Sequence, residues 1–437
     1  MSQKMDLLSW NKDNLLCKLW FTLLCLIVYR LGTYIPIPGV NPDIIDAVVS
    51  KHSVGVLGIF NVFSGGALGR MTVFALNVMP YIVSSIIIQL LSVTVPRLNE
   101  LRQNGELGRI KINSYIRYMT IFFCVVQGSV ILLGLEKMNT ENSIVVIDPG
   151  LLFRVVGISS LLGGTMFLLW LGERINKNGI GNGVSMIIFT GIIAELPGSF
   201  SSMFLLGRNG NVPIFVILLM VLIFFALLLL IIFVEKSYRK ILVQYPKRQV
   251  KNKLYGSSSS YIPLKINISG VIPPIFANAL LLSPITVANF HQGGSPWSDF
   301  ILMYFSSGKL LYIVCYALLI VFFAFFYTAF VFDAKETSEI LKKNGGFVPG
   351  KRPGNGTCEY FNYVIKRLTV LGSIYLTIIC IIPELIRYNY SVSFTLGGTS
   401  FLIIVNVIID TFSQVQTHLY SSRYNTLIRK SELWKIK

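Results

Sequence analysis

The chain has 437 residues, of which 53% are hydrophobic and only 13% are charged, and its net charge is +18 at pH 7. Water-soluble domains carry about 25% charged residues, so this composition excludes a soluble globular protein and predicts a polytopic membrane protein. The excess positive charge is therefore expected first at the ends of membrane spans.

Ten apolar runs follow one another along the chain, and each is long enough to cross a bilayer, which takes about 20 helical residues. Backbone polar groups in hydrocarbon must be paired within their own segment, so these runs are predicted to be helices. The expected fold class is an all-α membrane protein with ten transmembrane helices. The runs lie at 16–35, 73–95, 115–135, 151–172, 183–205, 213–234, 271–290, 309–332, 367–386 and 399–419.

The basic residues are concentrated in alternate connections between these spans. With the N-terminus in the cytosol, the cytosolic segments hold 30 of the 38 Lys and Arg residues. This asymmetry follows the positive-inside rule and predicts that both termini are cytosolic. The segments are 1–18, 96–117, 172–182, 235–270, 333–367 and 421–437.

The connection 235–270 is the most basic of these segments, because its eight Lys and Arg residues stand against the single acid Glu235. Orientation in the membrane explains part of this charge. So dense a cluster also predicts a large anionic partner, either an acidic protein surface or an RNA backbone.

Ten spans with both ends on one side divide into five and five, which predicts two halves of inverted topology. The N-terminal half is expected at 1–205 and the C-terminal half at 206–437. The second half carries the large cytosolic loops 235–270 and 333–367 and the cytosolic tail 421–437.

A short sequence echo supports this division. Residues 77–82 in the second span and 270–275 in the seventh share Val, an apolar residue, Pro and Ile at matching places. A proline inside a helix removes a hydrogen bond, so Pro80 and Pro273 are expected to loosen a matching pair of movable helices.

Sequence signatures of catalysis are not found. No HExxH motif is present, the three histidines are scattered, and GIGNG at 179–183 lacks the lysine of a phosphate loop and is predicted to be a tight turn. Asp410 lies in the middle of the tenth span, where an acid suggests function. Because no relay of charged partners accompanies it, a structural hydrogen bond to Gln414 or to a neighbouring helix is expected. We predict no enzyme, no metal and no cofactor.

Eight stretches, in order along nearly the whole chain, resemble the SecY family, the channel-forming subunits of the bacterial Sec protein translocase. They are YIPIPGV (34–40), FNVFSGGALGR (60–70), MPYIVSSIIIQLL (79–91), GTMFLLWLGE (164–173), GIGNG (179–183), PLKINISGVIPPIF (263–276), FVPGKRPG (347–354) and GGTSFLIIV (397–405). The resemblance implies a central hourglass pore between the two five-helix halves, able to open sideways toward lipid. The implied function is translocation of unfolded preproteins and insertion of membrane proteins.

The resemblance also implies that the segment before the second span folds back as a plug, at about 57–72. A helix of that length would be about 24 Å long, shorter than the hydrocarbon core of about 30 Å. Its polar and glycine residues would be costly against lipid but acceptable in a water-filled funnel. The alternative is an ordinary re-entrant loop. The expected plug residues are Phe63, Ser64, Gly65, Gly66, Gly69 and Arg70.

The resemblance also implies which residues form the waist of the pore, its narrowest part. A ring of branched aliphatic side chains would seal it by dewetting and make no specific hydrogen bonds to a passing chain. The residues at the matching positions are Val78, Ile82, Val184, Ile188, Ile275 and Ile403. For any single one of them, plain helix packing is the alternative.

A lateral gate is implied between the second and seventh spans, and its expected residues are Ser85, Gln89, Pro273 and Asn278. Polar pairs between helices in lipid are worth about 0.6–2 kcal/mol, enough to hold a gate that a signal helix can open. We expect Asn278 to pair with Ser85 or Gln89 across the seam. The alternative is that Asn278 bonds back to its own helix.

The partners implied by the resemblance are SecE and SecG in the membrane, the SecA ATPase or a ribosome on the cytosolic loops, signal sequences, unfolded polypeptides and the lipid bilayer. The expected location is the bacterial cytoplasmic membrane. The expected docking residues are Arg239, Lys240, Lys247, Arg248 and Arg352. A secondary transporter of a small solute is the alternative function, since it would share inverted repeats.

Overall fold

A computed structural model describes residues 15–41, 61, 64–103, 105–137, 145–208, 213–245, 248–250, 253–255, 259–290, 300, 303–304, 309–390 and 397–435. The helices are α1 (Leu15–Gly32), α2 (Met79–Thr94), α3 (Pro96–Gln103), α4 (Gly105–Lys137), α5 (Leu151–Asn178), α6 (Gly183–Arg208), α7 (Ile214–Glu235), α8 (Ile272–Phe290), α9 (Leu310–Val331), α10 (Ala334–Lys343), α11 (Asn355–Tyr390) and α12 (Gly398–Lys435). The strands are β1 (Tyr238–Gln244), β2 (Arg248–Val250), β3 (Lys253–Tyr255) and β4 (Ser259–Lys265).

The predicted ten-helix membrane fold is confirmed: α1, α2, α4 to α9, α11 and α12 occupy the ten apolar runs. Within the described residues, eight of these helices are long and apolar enough to cross a bilayer. The two shorter apolar stretches, Met79–Ser92 and Ile272–Leu281, belong to α2 and α8, the second and seventh spans. The division of the chain at residue 205 stays a prediction.

The prolines of the sequence echo begin their helices and do not interrupt them. Pro80 is the second residue of α2, and Pro273 is the second residue of α8. The first backbone N–H groups of a helix have no partner within it, so proline costs no hydrogen bond there. The expectation that these two prolines loosen their helices is therefore wrong. They set where the two helices start, and so contribute to their shortness.

The connection 235–270 is folded, which its sequence did not lead us to expect. β1 pairs with β4 in antiparallel register, from Tyr238 opposite Lys265 to Gln244 opposite Ser259, and β2 pairs with β3 at its tip. Gln244 also exchanges two backbone hydrogen bonds with Phe347, of 2.9 and 3.0 Å. The two basic loops are thereby tied to each other.

A hydrophobic core of its own supports this folded region. Buried side chains of β1 and β4 pack against α10 and against the beginning of α11. α11 has 36 residues, about 54 Å at 1.5 Å per residue, so it extends well beyond a hydrocarbon layer of about 30 Å. The core residues include Ile241, Val243, Leu264, Leu341, Val348 and Phe361.

The turn between α5 and α6 joins elements from both ends of the sequence. The amide of Ile180 donates to Thr22 Oγ1 of α1 at 3.2 Å, and the amide of Gly181 donates to Gln414 Oε1 of α12 at 2.7 Å. Gly181 has φ = 91°, a left-handed conformation that glycine adopts without strain. Gln414 is thus engaged with this turn, while Asp410 is exposed on α12.

Two adjacent glycines in α5 differ in the space around them, because the Val73 backbone lies close to Gly164 and not to Gly163. A Cβ on Gly164 would collide with the Val73 carbonyl oxygen, whereas a Cβ on the exposed Gly163 would meet no described atom within 4 Å. We predict that Gly164→Ala lowers the melting temperature of the detergent-solubilised protein, because overpacking costs about 1–3 kcal/mol. The control Gly163→Ala should leave it unchanged or slightly raised, and equal melting temperatures would contradict this packing.

Candidate functional site

The candidate site is a small cavity at the beginning of α2 and α8, where these helices meet α6 and α12. Its free volume is about 10 Å³, which is about the space that one water molecule needs. Apolar atoms form its walls. The lining residues are Asn77, Val78, Met79, Ile82, Ile188, Ile275 and Ile403.

Five of the six residues expected in the pore ring therefore line one cavity, although they come from four helices or their ends. The sixth, Val184, is not among the lining residues. It lies one turn of α6 before Ile188, next to Gly172 of α5, and packs against the main hydrophobic core. Met79, which was not expected there, also lines the cavity, and its long flexible side chain suits an irregular gap.

Of the helix that was expected over 57–72, Asn61 and Ser64 are helical, whereas residues 65–72 are not. Residues 65–78 form successive turns, with positive φ at Gly65 (67°), Gly66 (83°), Met71 (43°) and Asn77 (49°). A right-handed helix cannot include such residues. Residues 57–60 and Phe63 lie outside the described part of the chain.

This turn segment is inside the bundle. Ser64, Ala67, Leu68 and Met71 are each at most 3% exposed. Irregular backbone is tolerated at membrane depth only where protein or a water-filled cavity surrounds it. The placement therefore fits a segment that fills the centre of the bundle, and it disfavours a loop lying against lipid.

The end of α1 and the residues after it hold this segment. Arg30 Nη1 donates to the Gly65 carbonyl oxygen at 2.7 Å, and the Tyr29 hydroxyl donates to the Ser64 carbonyl oxygen at 3.4 Å. Farther along, the amide of Ile37 donates to the Met71 carbonyl oxygen at 3.0 Å.

Tyr34 lies between two arginines at the edge of this region. The Arg70 guanidinium is 4.5 Å from the centre of the Tyr34 ring, and the Arg30 guanidinium is 5.2 Å from it. Arg30 Nη2 also donates to the Tyr34 hydroxyl at 3.2 Å. Tyr34 therefore links the end of α1 to the last residues of the turn segment.

The expected hydrogen bond between Asn278 and the second span is not formed in this structure. Gln89 Nε2 donates to Ser85 Oγ on its own helix, α2, at 3.1 Å. Asn278 is 4% exposed, and its Oδ1 atom has no hydrogen-bond partner among the described residues. Side chains four residues apart on one helix lie next to each other, so Gln89 and Ser85 can pair without a partner on α8.

α8 also packs against α4, a neighbour that the sequence pattern did not indicate. α4 carries Gln127, whose Oε1 atom is likewise buried without a partner in the described part of the chain. Gln127 is an uncharged polar residue within an apolar run. That pattern is the sequence signal by which it could have been predicted to lie at a contact between helices.

The docking residues within the described chain are solvent-exposed. Arg239 and Lys240 lie on β1, and Arg352 lies in a loop between Gly350 (φ = 81°) and Gly354 (φ = 91°). The pairing of Gln244 with Phe347 brings these two basic loops together. Lys247 lies outside the described residues, and the Arg248 side chain is not described.

Comparison with known proteins identifies the family. The SecY family model matches residues 72–412. The chain belongs to the SecY family. It is 49% identical to the protein translocase subunit SecY of Rickettsia bellii, over 97% of this chain and 98% of the relative. It is 45% identical to the subunit of the same name from Escherichia coli K12, over 95% of this chain and 94% of the relative.

Solved structures agree with this fold at low sequence identity. A structure described as a protein-conducting channel has a TM-score of 0.62 and 17% identity, covering 92% of both chains. Sec61 in a canine ribosome–channel complex has a TM-score of 0.58 and 16% identity, with the same coverage. A SecY structure whose plug domain is described as stabilising the closed channel has a TM-score of 0.61 and 18% identity, with coverage of 92% of both chains.

The residues that line the cavity are the apolar residues of this region that we expect to limit ion leakage through the resting channel. Ile275→Asn is expected to wet the cavity and to raise the resting ion conductance of the protein in a planar bilayer, because dewetting no longer opposes ions. Val184→Asn is the matched control, since Val184 lies outside the cavity lining, and it should leave the conductance near background. Equal conductance in both variants would show that the cavity does not form the seal.

Proposed function

We propose that this chain is the central subunit of a protein-conducting channel, which translocates unfolded preproteins across the cytoplasmic membrane and inserts membrane proteins into it. One observation carries the proposal. A nearly closed apolar cavity lies where four helices or their ends meet, at the start of the two short spans α2 and α8. Membership of the SecY family, in which the relatives from Rickettsia and Escherichia are named protein translocase subunits, supports the same function.

The pore ring of this channel consists of Val78, Ile82, Ile188, Ile275 and Ile403. Branched aliphatic side chains offer no hydrogen bonds, so they do not discriminate among the side chains of a passing polypeptide. In the resting state they leave space for about one water molecule, and a dry constriction of this kind opposes ions. Both properties are what a channel for many different polypeptides requires.

The plug is the segment 57–72, of which residue 61 and residues 64–72 are described. Its turns fill the centre of the bundle, held by α1 and by the backbone of Ile37. Moving it aside would open the path that it occupies. The plug domain of a related SecY is described as maintaining a membrane seal, and we assign the same role to this segment.

The lateral gate lies between α2 and α8 and exposes the pore to lipid when these helices separate. We assign Asn278 of α8 to this seam; its buried Oδ1 lacks a hydrogen bond within the described residues. An unsatisfied carbonyl at a helix contact weakens the closed state. An apolar signal helix could then replace this contact and reach the bilayer, while the polar chain behind it enters the pore.

Partners on the cytosolic side would supply the driving force. The basic surface formed by β1 and the loop around Arg352 suits the SecA ATPase or a ribosome, and a Sec61 relative is described in a complex with a ribosome. SecE and SecG are the proposed membrane partners. We assign both termini to the cytosol of a bacterial cell, an orientation that the positive-inside distribution supports.

A transporter of small solutes is less favoured, because a polar substrate needs polar groups around it and the central cavity has apolar walls. Reconstitution into vesicles with SecE and SecG separates the two functions. We expect a presequence-bearing protein to become protected from protease when SecA and ATP are added. Uptake of a small solute without protection of the preprotein would overturn the proposal.

A partner-binding role for Arg352 gives a prediction of its own. Its guanidinium can form a two-pronged contact with a carboxylate or a phosphate, and lysine keeps the charge but loses the fork. Arg352→Lys is therefore expected to weaken SecA binding about tenfold, the usual effect of one charge-assisted hydrogen bond. The measurement is SecA affinity together with preprotein translocation.

Arg367→Lys is the matched control, since the Arg367 guanidinium lies 4.2 Å from the Tyr363 ring of its own helix. SecA binding should be unchanged in this variant. Normal SecA affinity in Arg352→Lys would show that Arg352 contributes only to the orientation of its loop.

A further inference from the structure

Two consecutive side chains at the end of α1 bind two consecutive carbonyl groups of the plug. Tyr29 bonds to the Ser64 carbonyl oxygen at 3.4 Å, and Arg30 bonds to the Gly65 carbonyl oxygen at 2.7 Å. The second bond is short and its donor is charged, which makes it about twice as strong as a neutral one. Arg30 therefore makes the stronger of these two contacts with the plug.

Gly65 is held closely from the opposite side as well. A Cβ on Gly65 would lie 2.8 Å from the Gly191 Cα atom of α6 and 3.4 Å from Arg30 Nη1. The Gly65 peptide thus lies between α1 and α6. With no side chain, Gly65 cannot be held by apolar packing of its own, so its carbonyl is the group by which a neighbour can hold it.

Tyr34 positions the Arg30 guanidinium for this contact. Arg30 Nη2 donates to the Tyr34 hydroxyl at 3.2 Å, and the Tyr34 ring is 5.2 Å from the guanidinium carbon. One terminal nitrogen of the planar guanidinium, Nη2, binds Tyr34 on the residues that follow α1. The other, Nη1, binds the Gly65 carbonyl oxygen of the plug. A planar, fixed fork of donors can bond in two directions at once, which a lysine ammonium does less well.

Apart from the bond of the Ile37 amide to the Met71 carbonyl oxygen and the contact of Arg70 with the Tyr34 ring, the remaining attachment of the described plug residues is apolar. Ala67, Leu68 and Met71 are buried by apolar contact, which is non-directional and scales with area. A hydrogen bond is lost over a short displacement, because it weakens steeply with distance and angle. The Arg30 bond would therefore be an early contact to break when the plug moves.

We propose that Arg30 is the retention residue of the plug and that its bond to the Gly65 carbonyl sets how often the resting channel opens. The inference rests on the proposed function, since it assumes that movement of residues 64–72 opens the pore. The competing explanation is that Arg30 merely anchors the end of α1 at the membrane surface, as long basic side chains commonly do.

A cysteine reporter inside the plug tests the retention role. Ala67 is fully buried, so Ala67→Cys should react slowly with a membrane-impermeant maleimide in the closed channel. In the Arg30→Met background the labelling rate should rise about tenfold, the factor expected for loss of one charge-assisted hydrogen bond. Resting ion conductance should rise with it. Protein with Ala67 intact measures the background from the six native cysteines.

Arg154→Met is the matched control. Arg154 binds Glu136 through two nitrogens, with the shortest contact at 2.6 Å, and these bonds join α4 and α5 and leave the plug untouched. This variant loses an arginine and an ion pair, yet labelling of the reporter cysteine and conductance should stay at the level seen with Arg154 intact.

The outcomes separate the explanations. Unchanged labelling of the reporter cysteine in Arg30→Met overturns the retention role, and a lower melting temperature in that case would assign Arg30 to anchoring α1. SecA-driven translocation by the unmodified protein is measured in the same vesicles. Its failure would count against the channel function, whereas labelling reports plug movement whether or not a preprotein is transported.

Discussion

The constraint on which the structure depends is that backbone polar groups in hydrocarbon need partners inside the protein. Most of the chain meets this constraint as helices. Residues 65–78 do not, because the positive φ angles among them exclude a regular helix, and they are therefore accommodated within the bundle. Their backbone groups bond to Arg30, Ile35 and Ile37. A non-helical segment placed in this way is held by a few specific bonds, and this agrees with its proposed role as a movable plug.

The same constraint explains the two short spans. α2 can begin only where the turn segment ends, and α8 begins where the connection from β4 ends, at Gly270 (φ = 63°). Prolines in the first turn fix both starts without loss of a hydrogen bond. The residues that line the cavity lie at or next to these two starts and on α6 and α12. In the proposed channel, the constriction, the plug and the gate are therefore parts of one arrangement, in which movement of α2 or α8 changes all three.

A second folded region lies between the end of α7 and the beginning of α11. In it, a basic connection forms a surface of defined structure. β1, β4, α10 and α11 share an apolar core, so the charged side chains of β1 project from a stable support. Buried Glu235, at the end of α7, accepts a hydrogen bond of 2.8 Å from Asn267, just before α8. Asn267 also bonds to the Gly270 carbonyl oxygen at 3.1 Å. These contacts connect the end of α7, next to the strands that carry the proposed docking residues, to the residues just before α8.

The amino-acid sequence by itself determined the ten spans, because a hydrophobic run of about 20 residues is a local property. The positions of Val78, Ile82, Ile188, Ile275 and Ile403 came from resemblance to a family, since isolated apolar residues in a membrane helix carry no signal of their own. Tertiary structure alone decided that Met79 joins them while Val184 does not, that Gln89 bonds to Ser85 and not to Asn278, and that Arg30 reaches Gly65. These depend on how helices rotate and on which φ angles a turn adopts, and a contact between residues far apart in the chain leaves no local pattern in it.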